Sequence, residues 1–540
     1  MTPSEPSPYA PYAPPPRRRR RRGVLIVLGG VVSLAVLAVG GFAVFIAVSL
    51  LNAKVDTVGT VDFDRPLAVP PLAESRVEAD GTRVFALRMQ EGESDFGAPR
   101  PTPTWGFDGD FLGPTLRATR GEKVRVEVTN DVGETSTVHW HGMHLPPAMD
   151  GGPHQAIAPG TTWKPHWTID QPAATLWYHP HPHGETAAHV RRGLAGMFVL
   201  DDAGSPGTTS TDDGPALPHT YGVDDVPLIV QDVQLEDDGR LDENGSFLSP
   251  VGLLGDTILV NGTPGPYDEV TAERTRYRLL NASSARTFTF TFSDRRSFAL
   301  VGTDGGLVEQ PSQLEEIVLT PGERAEIVVT MEPGERTVLR SAPLPERVAD
   351  SNRLAGDDDH LDVLELRAAD RLTPSAPLPR RLAPAPDVDP DDAVRTRAFA
   401  VSSQAINGLE MDMSRIDAQV EAGTTEIWEL SARDGSPHNF HVHDVQFQVL
   451  DVDGEEPSPD QRGWKDTVSV RPGKQVRVAL RFDLPAGTDE AADTPYMFHC
   501  HLLRHEDAGA MGQFVVVPAG RGSDTPDASD EASPTPRHHH

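Results

Sequence analysis

The middle of the chain runs in short stretches where apolar and polar residues alternate, broken by Pro-Gly and Asn-Gly turns, a pattern of half-buried strands rather than helices. A Pro-Gly turn followed by such a stretch recurs at Pro159-Gly160, at Pro321-Gly322 (running on through Ala325, Ile327 and Val329) and at Pro472-Gly473 (running on through Val476, Val478 and Leu480). The interval is about 150–160 residues, which predicts three similar β units. Two stretches have the composition of linkers: Ala203 to Leu217, rich in Gly, Ser, Thr and Asp, and Leu372 to Val394, rich in Pro, Ala and Asp. They leave units at 70–202, 220–371 and 395–518, each of a size that suits a β-sandwich. The predicted fold class is all-β.

One stretch breaks the alternation. From Gly23 to about Leu51 the chain is apolar and uncharged, longer than the ~20 residues a bilayer needs, and Arg17 to Arg22 precede it directly. A transmembrane anchor over 23–51 is expected, with the basic 1–22 segment on the cytoplasmic side. The competing reading is a cleaved export signal, whose apolar region would be shorter and would end at a small-residue cleavage site. Either way the body from about Val55 onward is exported. Residues 1–22 and the acidic tail 520–540, with His538 to His540 at its end, have the composition of disordered segments.

Composition sharpens this picture in three respects. The 50 prolines and 48 glycines among 540 residues, against 24% charged residues, favour a turn-rich β protein. The formal charge of −32 excludes broad attraction to nucleic acid, whose phosphates need basic surfaces. Cys500 is the single cysteine, so an intramolecular disulfide is impossible despite the exported setting.

Histidines concentrate in four short segments: His139-Trp140-His141, His179-Pro180-His181, His438-Asn439-Phe440-His441-Val442-His443, and His499-Cys500-His501 followed by His505. On a strand, residues i and i+2 share a face and i+1 takes the other. Each His-x-His then offers two imidazoles to one side, and the Cys500 sulfur points away from its flanking rings. A thiolate with two imidazoles and a weak or absent axial ligand makes a blue-copper electron-transfer site, a role that fits Cys500, His505 and, as third ligand, His438. His438 is out of phase with the His441/His443 pair, as Cys500 is with His499/His501. The other eight histidines form four same-face pairs, half from the first unit and half from the third, so a metal cluster between those units is expected. Structural zinc takes four ligands and would leave the remaining imidazoles unexplained.

These segments closely resemble the multicopper oxidases, the family of laccases, bilirubin oxidases and bacterial cuprous oxidases. HWHGMH at 139–144, LWYHPHPHGET at 176–186, HNFHVH at 438–443 and HCHLLRHEDAGAM at 499–511 are similar to the family's four copper segments in order, over a match from about Arg83 to Val517. INGLEMDMSRID at 406–417 and GWKDTV at 463–468 resemble its bilirubin-oxidase and cuprous-oxidase branch. The resemblance implies three consecutive cupredoxin-like Greek-key β-sandwich domains after the N-terminal helix. It also implies four coppers per chain: one type 1 on His438, Cys500 and His505, one type 2 on His139 and His441, and a type 3 pair on His141, His179, His181, His443, His499 and His501. The family's axial position falls on Ala510, with Met511 beside it. A three-coordinate type 1 site is therefore expected, with Met511 reaching the copper through a shifted loop as the alternative.

By the same resemblance, a small reducing substrate gives up electrons one at a time at the type 1 copper, and Cys500 with its flanking histidines passes them on until dioxygen is reduced to two waters. Asp150 and Glu506 resemble the family's acidic residues on the proton route, whereas His144, His154, His183 and His189 are read as structural. The 10 methionines form no Met-rich insert, so a phenol-type donor is expected over cuprous or ferrous ion. The rival readings are a copper-binding envelope scaffold without catalysis, as in relatives that have lost the ligands, and a copper nitrite reductase, whose two-domain trimeric pattern suits three units in one chain poorly. A monomeric catalytic unit on the extracytoplasmic side of the cell membrane is expected, or a secreted one if the helix is cleaved.

Overall fold

The computed structural model describes residues 18–202, 216–246, 248–345, 350–386, 388–486, 494–518 and 520. The segment before residue 18, most of the first linker and the tail after 520 lie outside the described residues, with His538 to His540 among them.

The N-terminal unit is one α-helix, Arg18–Asn52, whose Ser33–Leu51 portion has a mean hydropathy of 2.7 and is long and apolar enough to cross a membrane. The helix takes in Arg18 to Arg22, where composition alone predicts a disordered segment. Arginine is a good helix former, so the helix does not stop where the apolar run stops.

The body from Val55 onward is built from β-sheets, as expected, which pair into three sandwiches. In the first, a sheet containing Arg83–Ser94 and Lys123–Asn130 faces a sheet of Leu116–Thr119, Gly196–Asp201, Ala174–His179 and His139–His141. Lys123–Asn130 shows why these segments are strands: Val124, Val126 and Val128 are fully buried while Lys123, Arg125 and Glu127 alternate outward. The third sandwich repeats the device in Gln475–Phe482, which buries Val476, Val478, Leu480 and Phe482. Its second sheet contains His438–Val442, Thr467–Val470, Tyr496–His499 and Met511–Val517.

The middle sandwich departs from simple alternation. Arg324–Thr330 buries Ala325, Ile327 and Val329 as the pattern predicts, but Arg324, Glu326 and Val328 on its other face are buried as well. Arg324 and Glu326 on that face meet the first sandwich, where Thr175 donates to Glu326 at 2.5 Å, and Val328 packs with Leu217 and Leu382; within the sheet Arg278 bonds both Glu326 and Asp225. Arg65–Pro66 pairs in parallel with Pro266–Ala272, joining the middle sandwich although it precedes the first in sequence. Two residues including a proline carry no periodic signal that would reveal this.

Candidate metal centre

The histidine segments sit at strand ends where the first and third sandwiches meet. His139–His141 pairs with Ala174–His179 in the register His139 to His179 and His141 to Trp177. In the third sandwich His441 lies opposite His499. Only His139 and His141 lie wholly within one strand: His181, His443 and His501 fall just past a strand end, and the side-by-side placement comes from this shared register as much as from alternation within strands.

Cys500, His438 and His505 form one buried group. Cys500 Sγ lies 3.6 Å from Nδ1 of each histidine and 3.7 Å from Asn439 Oδ1. Burial pushes the thiol up, but the contacts and charge of His438 and His505 outweigh it and bring Cys500 down to about 5, so the sulfur is poised as the thiolate a metal requires. The far nitrogens of the two rings are anchored: His438 Nε2 is 2.7 Å from Asp434 Oδ1, and His505 Nε2 donates to the Pro250 carbonyl at 2.8 Å.

The remaining eight imidazoles form a single buried cage. His181, His443 and His499 make one group, with Nε2 of His499 at 3.1 Å from that of His181 and 3.2 Å from that of His443. His141, His179 and His501 make a second, in which His141 Nδ1 faces His179 Nε2 at 3.4 Å. His139 and His441 complete the cage. Each donates Nδ1–H to a backbone carbonyl, of Asp150 at 3.0 Å and of Asp466 at 2.9 Å, which leaves Nε2 as a lone pair turned inward. The eleven donors expected from the sequence all fall in these groups, and the middle sandwich supplies none of them.

This cage fits metal ions. Nε2 of His139, Nε2 of His441 and both ring nitrogens of His501 are buried without a hydrogen-bond partner, a cost of about 1–3 kcal/mol for each such group. A bound cation removes that cost. Burial, reinforced by the neighbouring rings, holds His141, His179, His441 and His443 well below the ordinary imidazole range and brings His181 to about 4 and His501 to about 3. Neutral rings are the ligating form, and a donor set of imidazoles with one thiolate suits copper.

Comparison with known proteins settles the family. Profiles described as multicopper oxidase match residues 88–205, 230–338 and 384–520. A protein named multicopper oxidase mco from Staphylococcus haemolyticus is 34% identical over 459 residues, 83% of this chain and 92% of the relative. The chain belongs to the multicopper oxidase family. A cell division protein FtsP from Escherichia coli strain K12 is similar to the same degree, 34% over 464 residues, covering 84% and 93% of the two chains. Among solved structures, a laccase-like multicopper oxidase from Ochrobactrum sp., with oxidase activity towards lignin model compounds and lignosulfonate, superposes with a TM-score of 0.74 at 34% identity, covering 84% of this chain and 100% of that one.

In this multicopper oxidase the two expected acids reach the cage. Asp150 Oδ2 accepts from His443 Nδ1 at 2.7 Å, and its Oδ1 is 3.3 Å from His139 Nδ1. Glu506 lies 3.4 Å from His181 Nδ1 and 3.2 Å from His499 Nδ1. Burial works against its charge, yet the two histidines hold the carboxyl well below the usual range. Met511 stands opposite His499 in the strand register, whereas the Ala510 carbonyl receives the Cys500 N–H at 3.0 Å. Cross-strand neighbours share a face, so Ala510 and Cys500 lie on one side and Met511 on the other.

The histidines read as structural stand apart from these groups: His144 pairs with Asp444 at 2.8 Å, His154 with Gln513 and His189 with Ser136 at 3.0 Å, while His183 is exposed. Sequence reasoning did not single out Asp434, Asn439 or Asp466. Asp466 lies inside the GWKDTV motif and was open to notice there; Asp434 and Asn439 carry no spacing signal of their own.

Proposed function

We propose that the chain couples four one-electron oxidations of a small reducing substrate to the reduction of dioxygen to two waters. The observation that carries this is the run His499-Cys500-His501: Cys500 belongs to the thiolate group, His499 to one three-histidine group and His501 to the other. Three residues of backbone thus join the place where electrons arrive to the place where they are spent.

Copper, when bound, supplies one-electron transfer at Cys500 and the binding and reduction of dioxygen in the cage. His438, Cys500 and His505 hold the type 1 ion without a thioether, because the Ala510 methyl occupies the position where the family places its axial residue. His139 and His441 hold type 2, and His141, His179 and His501, with His181, His443 and His499, hold the type 3 pair, giving four coppers. Asp150 and Glu506 are the carboxylates beside the cage through which protons are relayed. Asp434, at His438 and 34% exposed, is the carboxylate through which donors meet the type 1 site. A phenol-type donor is favoured, in line with the lignin-model activity of the Ochrobactrum relative; cuprous or ferrous ion is the alternative that the half-buried carboxylate beside His438 supports. A second reading is an envelope scaffold without catalysis, beside which stands the likeness to a protein named for cell division, and the complete donor set stands against it. The apolar helix anchors the catalytic body as a monomer on the extracytoplasmic side of the membrane.

The test is copper content, visible absorption and oxygen uptake of the copper-loaded chain with a phenol, with Cu(I) and with Fe(II). An intense blue band, about four coppers per chain and donor-dependent uptake are expected, and the fastest donor names the substrate class. A colourless chain that holds little copper overturns the oxidase reading in favour of the envelope one.

A further inference from the structure

Arg324 belongs to the middle sandwich, which contributes no imidazole or thiol to the cage, yet its side chain reaches all three sandwiches. It is fully buried, and all five of its N–H groups are used. Nε donates to the Thr175 carbonyl of the first sandwich at 3.0 Å. One terminal nitrogen donates to the Gly322 carbonyl and to Asp466 Oδ1, the other to the Asp304 carbonyl and to Asp466 Oδ2, with the carboxylate contacts at 2.7 and 2.6 Å.

Asp466, of the third sandwich, passes this grip to the cage. Its Oδ1 accepts from His141 Nε2 at 3.1 Å, and its backbone carbonyl accepts from His441 Nδ1 at 2.9 Å. A carboxylate held at both oxygens by a guanidinium cannot rotate. His141 must then keep its proton on Nε2 and present Nδ1 to His179 and His501. The turn that leads into Arg324 is pressed against the same rings: a Cβ on Gly322, at φ +87°, would lie 3.1 Å from the His501 ring and 3.2 Å from that of His141.

We infer that Arg324 is a positioning residue for the metal cluster, fixing through Asp466 the orientation and tautomer of His141. The inference rests on the reading of His141 as a ligand given above. A comparison within the molecule separates positioning from mere adhesion between sandwiches. Arg278 is equally buried, pairs with Asp225 and Glu326 of its own sheet, ties the middle sandwich to the first through Thr175, and makes no hydrogen bond to a cage residue.

The experiment compares Arg324→Lys with Arg278→Lys in the copper-loaded full chain, reading thermal unfolding, copper content, the type 1 visible band and the near-ultraviolet absorption of the coupled copper pair. Lysine keeps the charge but cannot span both carboxylate oxygens. Arg324→Lys is expected to keep the visible band within about twofold while the coupled-pair signal and cluster copper affinity fall ~10–100-fold, the range for residues that orient metal ligands. Arg278→Lys should change every signal only in proportion to its folded fraction. Equal behaviour of the two variants per folded chain overturns the inference. If Arg324→Lys does not fold, Asp466→Asn gives the same reading, and a full coupled-pair signal in that variant is equally fatal. A wild-type chain that holds type 1 copper but no coupled pair overturns the parent reading and this inference together; a loaded wild type beside unaffected variants overturns this inference alone.

Discussion

Asp434 Oδ1 stands 2.7 Å from His438 Nε2, and the opposite nitrogen of that ring stands 3.6 Å from Cys500 Sγ. One imidazole therefore connects a carboxylate at the protein surface to the buried sulfur. Burial disfavours charge at both ends of the pair, but the contact overcomes it, holding Asp434 well below the usual carboxylate range and raising His438 to about 9. Asp434→Ala removes the surface end and the anchor of the ring while leaving the sulfur untouched. The visible band should persist, and the rate at which a donor bleaches it should fall ~10–100-fold, by analogy with other residues that orient metal ligands. Stopped-flow reduction under nitrogen reads this directly. Bleaching at the wild-type rate means that electrons arrive by another side.

Cys500 is the single link in the His499-Cys500-His501 bridge that can carry a thiolate. Cys500→Ser should abolish the visible band and donor-dependent oxygen uptake, yet leave the coupled-pair absorption of the cage in place, because no imidazole of the cage touches the sulfur. Volume is nearly unchanged, so folding should survive. Loss of both copper signals at once would mean that the two sites do not load independently.

The order of donors along the chain was legible because metal ligation constrains both residue type and spacing. Strand alternation decides which side each atom faces at His139-Trp140-His141, while at His179–His181 and His499–His501, which run past their strand ends, the register shared with the neighbouring strand does so as well. The three sandwiches were legible from alternation, most clearly in Gln475–Phe482. What escaped the sequence is what the tertiary register decides. Asp466 meets His141 across 325 residues and Arg324 meets Asp466 across 142, contacts with no local pattern to announce them. Arg324 and Glu326 occupy positions that alternation would assign to solvent, and the neighbouring sandwich turns that face into an interior. The N-terminal helix begins before its apolar run because charge ends an apolar run but does not end a helix.

The cage also sets a pH dependence for the metal-free chain. His181 at about 4 and His501 at about 3, with His141, His179, His441 and His443 also depressed, must bind protons on unfolding anywhere below the ordinary imidazole range. The unfolded chain then carries more protons than the folded one, so stability present above about pH 6.5 is lost as pH falls toward 4. Asp507, pushed up to about 7 by burial, and His144 and His438, which despite burial are raised to about 9 by their carboxylate partners, act in the opposite sense near the top of that window, as do the carboxyls of Asp304, Glu323 and Asp444, raised by burial, lower down; the six depressed rings share one cage and set the slope between pH 7 and pH 5. The unfolding midpoint of the copper-free body should fall steadily from pH 7 to pH 5. A midpoint that stays level or rises over that interval would show that the rings are already protonated in the fold.

Ala510 and Cys500 are joined by a 3.0 Å backbone hydrogen bond and share a face, while Met511 is paired with His499 on the other. A methyl cannot donate a lone pair, so on the proposed ligand set a type 1 copper here would be three-coordinate, with a correspondingly high reduction potential. Met511→Leu conserves volume on the far face and should leave potential and colour unchanged. Ala510→Met places a thioether on the Cys500 side. If it reaches the copper, the axial ligand stabilises the oxidised ion, and the potential should fall measurably in a redox titration of the visible band. A potential that responds to Met511→Leu instead would show that the loop after His505 shifts when copper binds, bringing Met511 round to the sulfur side.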